Sequence, residues 1–401
     1  MNILILCNKS PYPPKEGGPI AMNAVIEGLI RVGHRVKVLT VNTNKYFVKM
    51  DDIPREYRQR TRIEAVYIDL SIKPLEAFLN LFTRDSYHVQ RFITKEFEQK
   101  LIEILEQEKF DIIQLEMLYL APYVKTIRRY SNARIVLRAH NIEHRIWERI
   151  TENCKNPMKR LYLGHIYRTL KRYELHALDQ FDGIVAITRN DAAYFRQTGT
   201  TTPVIDIPFG IHLEDYPETT ACEHAIPSLF HIGAMNWYPN MEGIRWFLDY
   251  VWPLIHREFP DLKFTLAGRN IPGWMYNLRI PNLDVVGEVD DAMAFIRSKC
   301  IMVVPLFSGS GIRIKIVEGM TAARTIISTP VGAEGIHCEN GKNILLASTP
   351  EEFAGAVRTC MRDPEKCKSI GRNARVLIEE EHNNEALMKK LSGFYRSLHS
   401  N

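Results

Sequence analysis

A short apolar run, a glycine-rich turn and a helical pattern follow one another between Ile301 and Gly335, and they constrain the fold more than any other stretch. The apolar run Ile301–Val304 ends at Pro305 and predicts a buried parallel strand. The segment Ser308–Gly311 then predicts a turn, and apolar residues at helical spacing follow it from 312 to 317. This order of elements is typical of a βαβ unit in an α/β protein.

The glycine turn also indicates an anion-binding site. The first N–H groups of a helix have no partners within the helix and carry partial positive charge. Arg313 and Lys315 add two cations, whereas Glu318 would repel phosphate but could accept hydrogen bonds from the paired hydroxyls of a ribose. The sequence therefore predicts a site for a nucleoside diphosphate, with or without an attached sugar.

The same stretch resembles the donor-site segment of retaining glycosyltransferases of family four, which have the GT-B fold. The resemblance rests on Pro305-Leu306, Gly309-Ser310-Gly311, Arg313, Lys315, Glu318-Gly319-Met320 and Ser328–Gly335. That family usually has two glutamates separated by seven residues. Glu318 matches the second glutamate, and Ser310 stands where the first would be. The glycine pattern alone would also fit an ordinary βαβ crossover.

The resemblance implies an α/β protein with two Rossmann-like domains that face each other across a cleft. We expect residues 1–216 to form the acceptor domain and 217–384 the nucleotide-sugar donor domain, with 217–227 as the linker. A C-terminal helix at 385–401 is expected to cross back to the first domain. A chain of 401 residues is long enough for two or three domains.

Charge and cysteine content bear on partners and location. Residues 1–215 contain 32 of the 52 basic residues and 26 of the 47 acidic ones, an excess too small to predict nucleic-acid binding. The seven cysteines form no CxxC pair, so we expect a cytoplasmic protein with no disulfide and no structural zinc. No run of eighteen apolar residues predicts a membrane-spanning helix.

The amino-terminal residues predict another βαβ unit. Asn2–Cys7 and Arg35–Thr40 read as strands, and about Ile20 to Val32 reads as the helix between them. The GxGxxG fingerprint is absent, which disfavours a nicotinamide dehydrogenase. The resemblance implies that Gly17 and Gly18 face the sugar diphosphate; an ordinary tight loop is the alternative interpretation.

Three polar residues follow the predicted strand Ala133–Arg138. His140, Asn141 and Glu143 come directly after it, where ligands of open α/β sheets bind. The resemblance implies that His140 lies near the transferred sugar, and we expect Asn141 and Glu143 to contact the sugar or the acceptor. A structural histidine is the alternative interpretation.

The segment 155–176 interleaves basic and aromatic or aliphatic residues. Leu163, Ile166, Tyr167 and Leu170 share one helical face, which favours a core-facing helix with a solvated basic side. The other interpretation is peripheral contact with the inner face of the cell membrane or with an anionic acceptor.

In the second domain, the resemblance assigns donor contacts to residues at several strand ends. The expected donor-binding residues are Gly233, Gly268, Arg269, Val289, Gly309, Ser310, Gly311 and Ile312. Met235 and Asn240 stand where the family usually has an arginine and a lysine that hold phosphate. The charge on the diphosphate would therefore be neutralised by Arg313 and Lys315.

The resemblance implies transfer of a glycosyl group with retained anomeric configuration and without a bound metal or other cofactor. The donor would be a nucleoside-diphosphate sugar, and the acceptor a saccharide, lipid-linked or small molecule in cell-surface glycan synthesis. His140, Glu318, Lys315 and Arg313 are the expected catalytic residues. A nucleotide-sugar 2-epimerase of the same fold and a non-catalytic nucleotide-sugar-binding protein are the alternatives.

Overall fold

The computed structural model describes residues 1–71, 73, 79–81, 83, 85–216, 228–309 and 311–399, so the expected linker at 217–227 and Ser310 lie outside the described residues. The chain forms two compact units. Unit 1 comprises Met1–Ile211 and Asn384–Asn401, and unit 2 comprises His212–Asn383. Each unit is built on a parallel β-sheet flanked by helices.

The sheet of unit 1 has the strand order β3-β2-β1-β4-β5-β6-β7. Its strands are β1 (Asn2–Cys7), β2 (Arg35–Thr43), β3 (Glu64–Ile68), β4 (Ile112–Glu116), β5 (Arg134–Ala139), β6 (Gly183–Ala186) and β7 (Val204–Asp206). The order reverses between β1 and β4, which pair in parallel. Crevices at such reversals are the usual ligand sites of open α/β sheets.

Helices cover both faces of this sheet. They are α1 (Gly17–Arg31), α2 (Arg55–Thr61), α3 (Tyr87–Gln90), α4 (Lys95–Gln107), α5 (Val124–Tyr130), α6 (Glu143–Glu152), α7 (Pro157–Ala177) and α8 (Arg189–Gln197). Short 3-10 turns occur at Met50–Asp52, Leu118–Tyr123 and Leu178–Gln180. In α7, Leu163, Ile166 and Leu170 are buried, as the core-facing interpretation of this segment predicts.

The sheet of unit 2 has the order β10-β9-β8-β11-β12-β13 and reverses between β8 and β11. Its strands are β8 (Leu229–Ile232), β9 (Phe264–Ala267), β10 (Leu283–Gly287), β11 (Ile301–Val304), β12 (Thr325–Ser328) and β13 (Leu345–Leu346). Its helices are α9 (Tyr238–Trp246), α10 (Trp252–Glu258), α11 (Gly273–Tyr276), α12 (Ala292–Arg297), α13 (Ile314–Thr321), α14 (Pro350–Arg362) and α15 (Pro364–Glu381). A π-helical turn, Phe247–Val251, joins α9 to α10, and a 3-10 turn spans Leu213–Asp215.

The sequence pattern at 374–398 predicts one helix, but the structure has two. Helix α15 ends at Glu381, and α16 (Asn384–Ser397) begins a new helix within unit 1. Asn384 anchors the break, because its N–H donates to the Ile211 carbonyl at 2.9 Å and its Nδ2 donates to the Ala24 carbonyl at 2.9 Å. The expected return of the C-terminal helix to the first domain is confirmed.

Other sequence expectations needed smaller corrections. Helix α1 begins at Gly17 rather than Ile20, so both glycines lie in its first turn. Strand β3 was not predicted, because only Ile68 of its five residues is buried and the apolar pattern is too short.

Cys300 is disulfide-bonded, contrary to the expectation that all cysteines are reduced. No helix in the described part of the chain has the length and apolar character needed to span a membrane.

Candidate functional site

In unit 2, the predicted donor residues gather at the carboxyl ends of β8 and β11, where the strand order reverses. Gly233 follows β8 directly, and the segment from Pro305 to Arg313 connects β11 to α13. These two loops therefore flank the position at which open α/β sheets bind nucleotides.

The ammonium group of Lys315 is held between two neutral side chains. Its Nζ donates to Asn240 Oδ1 at 2.8 Å and lies 3.3 Å from His231 Nε2. His231 Nδ1 lies 2.8 Å from the Val303 carbonyl oxygen, which can only accept, so Nδ1 carries the proton and Nε2 accepts from Lys315. Burial, together with the Lys315 charge, holds the pKa of His231 well below its usual value, so the ring stays neutral.

The charge of Lys315 is poorly compensated at this position. Burial, and secondarily the charge of Arg313, lowers the pKa of Lys315 to about 7, although Glu318 acts in the opposite direction. Half of the lysine side chains would then be neutral near pH 7. An anion bound against Nζ would favour the protonated form, which is the property expected of a phosphate-binding lysine.

The side chains around Gly233 leave no room for a Cβ, so this position requires a glycine. A Cβ at this position would collide with Lys315 Nζ, and would lie 2.8 Å from Asn240 Nδ2 and 3.1 Å from His231 Nε2. Gly268, with φ of +142°, is similarly constrained, because a Cβ there would collide with the Gly233 carbonyl oxygen. The absence of side chains lets the two strand ends and Lys315 approach closely.

Arg313 occupies the N-cap position of α13 and is buried. Its Nη1 donates to the Gly311 carbonyl at 2.9 Å, and its guanidinium carbon lies 5.4 Å from the centre of the Trp237 ring. Gly309 has φ of +115°, and a Cβ there would lie 2.7 Å from Arg313 Nη2. The guanidinium thus folds back over the glycine turn, and Ile312 lies partly buried beside it.

Glu318 lies one turn along α13 from Lys315. Burial raises the pKa of its carboxyl to about 7, and Lys315 partly offsets this effect. Burial raises the pKa of Tyr216, and the charge of Glu318 adds to this rise. Near neutral pH such a carboxyl can accept hydrogen bonds from hydroxyl groups and, when protonated, can donate one.

Two further predicted donor residues lie at the ends of β9 and β10. Arg269 Nε forms an ion pair with Glu288 Oε1 at 3.2 Å on the surface. Val289 follows Glu288 and is partly buried. Both residues therefore lie near the strand ends at which the family resemblance places the nucleobase, and their role stays a prediction.

In unit 1, His140 lies at the carboxyl end of β5 and is bonded to a buried carboxylate. Its Nε2 lies 2.5 Å from Glu116 Oε2, and Arg138 Nη1 lies 2.9 Å from the same oxygen. Burial alone would raise the pKa of Glu116, but Arg138 and His140 bring it down to about 2. Burial lowers the pKa of His140 in spite of Glu116, so the imidazole is neutral at physiological pH.

Asn141 and Glu143 accompany His140, but Glu143 points into the protein. The Tyr119 hydroxyl donates to Glu143 Oε2 at 2.6 Å, and only 4% of Glu143 is exposed. Burial, with a contribution from Glu174, raises the pKa of Glu143 to about 7. Asn141 is partly exposed. The predicted contact between Glu143 and the acceptor stays a prediction.

Gly17 and Gly18 lie in the first turn of α1, which has no side-chain cap. Lys9 packs on this turn, since a Cβ at Gly18 would lie 2.9 Å from Lys9 Cε and 3.0 Å from Lys9 Nζ. Lys9 Nζ also lies 4.7 Å from the centre of the Tyr46 ring, and burial lowers its pKa. The amino end of α1 is thus lined by uncapped amides and a cation.

Sequence reasoning missed His231, Trp237 and Glu116 as parts of these two sites. A signal was present for two of them, because His231 lies in the otherwise apolar strand β8, and Glu116 is a charged residue of the buried strand β4. In the described part of the chain, no group of three or more His, Cys, Asp and Glu side chains is placed to hold a metal ion.

Comparison with known protein families identifies the family to which this chain belongs. A family model described as Glycosyltransferase Family 4 matches residues 17–215, and one described as Glycosyl transferases group 1 matches residues 226–363. The chain belongs to the family-four, group 1 glycosyltransferases. The family expected from the donor-site motif is therefore confirmed, as are the two Rossmann-like domains.

Individual proteins similar to this family-four glycosyltransferase are distant in sequence. A Klebsiella pneumoniae protein described as an uncharacterized 44.6 kDa protein in the cps region is 22% identical, over 97% of this chain and 98% of that one. Sucrose-phosphate synthase from Thermosynechococcus elongatus has a TM-score of 0.72 at 17% identity, with complete coverage of both chains. Anabaena HepE in complex with UDP has a TM-score of 0.70 at 14% identity, over 99% of this chain and 100% of that one. HepE has also been solved with UDP-glucose, with a TM-score of 0.67. These likenesses show the GT-B fold.

Proposed function

We propose that this protein transfers a sugar, with retention of anomeric configuration, from a nucleoside-diphosphate sugar to an acceptor. The observation that carries the proposal is the ammonium of Lys315, held by neutral Asn240 and His231 beside Gly233 at the strand-order reversal. A cation whose bonded neighbours are neutral, at the usual nucleotide position, suits a diphosphate.

The donor side of the proposal is assigned to unit 2. The diphosphate would be neutralised by Lys315, by Arg313 and by the amides at the start of α13. Fixed donors of this kind stabilise the charge that develops on a leaving diphosphate by about 3 kcal/mol each. Glu318 would accept hydrogen bonds from the ribose hydroxyls. The UDP and UDP-glucose complexes of HepE support a donor of this class.

The acceptor side is assigned to unit 1, where His140 and Asn141 would contact the transferred sugar or the acceptor. We propose a saccharide, lipid-linked or small-molecule acceptor in cell-surface glycan synthesis, which the cps-region description of the Klebsiella relative supports. Retention follows when the acceptor attacks on the face from which the diphosphate leaves and its hydroxyl proton passes to the leaving phosphate oxygen. Arg313 and Lys315 would then stabilise the negative charge of that diphosphate.

Peripheral membrane contact by a cytoplasmic enzyme forms a separate part of the proposal. Met158 and Leu161, in the first turns of α7, are 84% and 73% exposed, and the exposed residues Lys155, Lys159 and Arg160 are close to them in sequence. Exposed apolar side chains accompanied by cations suit an anionic bilayer surface. Co-sedimentation with phosphatidylglycerol vesicles should fall severalfold in a Met158→Glu, Leu161→Glu variant, with Val376→Glu on the exposed face of α15 as the control. Equal sedimentation of all three proteins would contradict this contact.

A two-step experiment tests the proposed function. A thermal-shift screen with UDP-, GDP-, ADP- and CMP-sugars identifies the donor, because a ligand that binds only the folded state raises Tm. The purified protein is then incubated with that donor alone. Slow release of free sugar supports a transferase, interconversion of the nucleotide sugar indicates an epimerase, and an unchanged donor indicates a non-catalytic binding protein.

A further inference from the structure

Glu116 on β4 makes hydrogen bonds that determine the chemistry of His140. We infer that Glu116 is a positioning residue that holds His140 in the Nε2–H tautomer, so that Nδ1 accepts a hydrogen bond from a substrate hydroxyl. The tautomer follows from unit 1 alone, whereas the contact with substrate rests on the proposed function.

The direction of the Glu116–His140 bond follows from the donors around the carboxylate. Glu116 Oε2 lies 2.5 Å from His140 Nε2 and 2.9 Å from Arg138 Nη1. A guanidinium only donates, and an ionised carboxylate only accepts. Arg138 Nη1 also lies 3.1 Å from His140 Nε2. An unprotonated Nε2 would be repelled by an ionised oxygen 2.5 Å away, so Nε2 carries the proton, and it and Arg138 Nη1 both direct an N–H at Glu116 Oε2.

The other oxygen of Glu116 is also held by a donor. Gln114 Nε2 donates to Glu116 Oε1 at 2.7 Å, and the hydroxyl of Tyr395 on α16 donates to the Gln114 side-chain oxygen. This chain fixes the orientation of the Gln114 amide, so that its NH2 group faces Glu116. Arg138 and Glu116 are both fully buried, so each needs the other for charge balance. The carboxylate is thus fixed in its ionised form and in its position.

With Nε2 occupied, Nδ1 is the nitrogen of His140 that remains for a ligand. The two hydrogen-bond contacts of the His140 ring within unit 1, to Glu116 and to Arg138, are both made by Nε2. An unprotonated Nδ1 accepts from a hydroxyl but cannot donate to a phosphate or carboxylate oxygen. The ligand group opposite His140 is therefore a hydrogen-bond donor, such as a hydroxyl of the sugar or of the acceptor, and not an ionised diphosphate oxygen.

The tautomer can be measured directly in the unmodified protein. Two-bond ¹H–¹⁵N correlation spectra of ¹⁵N-histidine-labelled protein distinguish Nε2–H from Nδ1–H rings. His231 serves as an internal reference, because its Nδ1–H donates to the Val303 carbonyl and gives the opposite pattern. His140→Gln and His231→Gln assign the two signals among the 13 histidines. A Nδ1–H or a doubly protonated His140 at pH 7.5 overturns the inference.

A Glu116→Gln variant tests the positioning role, since an amide can present either an oxygen or an NH2 group to His140. The expected result is a changed His140 tautomer pattern and a fall in kcat of about 10- to 100-fold, with little change in KM for the donor. Glu174→Gln is the matched control. Glu174 is a buried carboxylate bonded to His144 Nδ1 at 2.6 Å, so this change should alter the His144 signal and leave that of His140 unchanged. An unaltered His140 pattern and kcat in Glu116→Gln contradicts the inference.

The two proposals can fail independently. If Glu116→Gln does not fold, the spectra of the unmodified protein still decide the tautomer. If the protein hydrolyses or transfers no sugar, the proposed function fails while the Nε2–H pattern of His140 can still be present. Conversely, an active enzyme with a Nδ1–H signal for His140 retains the function and removes the role of Glu116.

Discussion

Diphosphate binding should depend on pH through Lys315. In the free protein, burial and Arg313 lower the pKa of Lys315 to about 7, whereas an ordinary lysine titrates near 10.4. A bound diphosphate favours the charged form and should return the pKa towards its ordinary value. Binding at pH 8 then takes up nearly one proton, and affinity falls as pH rises above 7 because the free lysine must first be protonated.

The expected magnitude follows from these two pKa values. If the bound lysine titrates near 10.4 and the free one near 7, the affinity for UDP falls about 50-fold between pH 7 and pH 9, or about 2.3 kcal/mol. This is an upper bound, because solvent at the partly exposed side chain weakens the effect. The second ionisation of a phosphate, near pH 6, is complete above pH 7 and adds little.

Isothermal titration calorimetry of UDP at pH 7, 8 and 9, in two buffers of different ionisation enthalpy, measures both affinity and proton uptake. Lys315→Met removes the ammonium group but keeps an unbranched side chain of similar shape, and should weaken binding at pH 7 by about 1.5–3 kcal/mol while abolishing the proton uptake. Glu318 also has a pKa raised to about 7, and its ionisation would repel the diphosphate, so Glu318→Gln separates the two contributions. The reasoning is refuted if wild-type affinity is constant from pH 7 to pH 9, or if Lys315→Met retains the slope.

Further substitutions test individual residues. Glu318→Gln should lower activity about tenfold or more with the fold retained, and equal affinity of the wild type for UDP and its deoxyribose analogue would contradict the ribose contact. His140→Ala should cut kcat about 100-fold with unchanged UDP affinity, whereas wild-type turnover or loss of folding would return His140 to a structural role. Gly233→Ala should weaken UDP binding about tenfold or more, while Gly355→Ala, whose Cβ meets open space, should bind normally; equal affinities would contradict the packing around Lys315. Chelation with EDTA should leave initial rates unchanged, and a loss restored by Mg²⁺ would contradict neutralisation by Arg313 and Lys315 alone.

The sequence predicted the elements whose residues carry a local signal. Strand β11 and the glycine turn before α13 combine an apolar run, Pro305 and glycines with positive φ, which are short-range features. The apolar spacing between residues 96 and 108 likewise predicts an amphipathic helix, and α4 buries Phe97, Leu101, Ile104 and Leu105. Such patterns depend on residues within one or two helical turns.

Long-range contacts could not be predicted in this way. The break before α16 depends on Asn384 reaching Ala24 and Ile211, which are distant in sequence. Likewise, the Lys315–His231 contact joins residues 84 positions apart, and only the parallel pairing of β8 with β11 brings them together. The family resemblance indicated Lys315 as a phosphate ligand, but its neutral partners required the folded structure.

The anomeric configuration of the first sugar released from the donor tests the proposed reaction most directly. The purified protein is incubated with UDP-glucose, or with the α-linked nucleoside-diphosphate sugar that gives the largest thermal shift, and ¹H NMR follows the anomeric protons before mutarotation. A retaining transferase that uses water as a slow acceptor should release the α-sugar first together with the nucleoside diphosphate, and Lys315→Met should abolish this release. Release of the β-sugar first would contradict retaining glycosyl transfer by this site. So would a donor that stays intact after prolonged incubation with an equal concentration of enzyme.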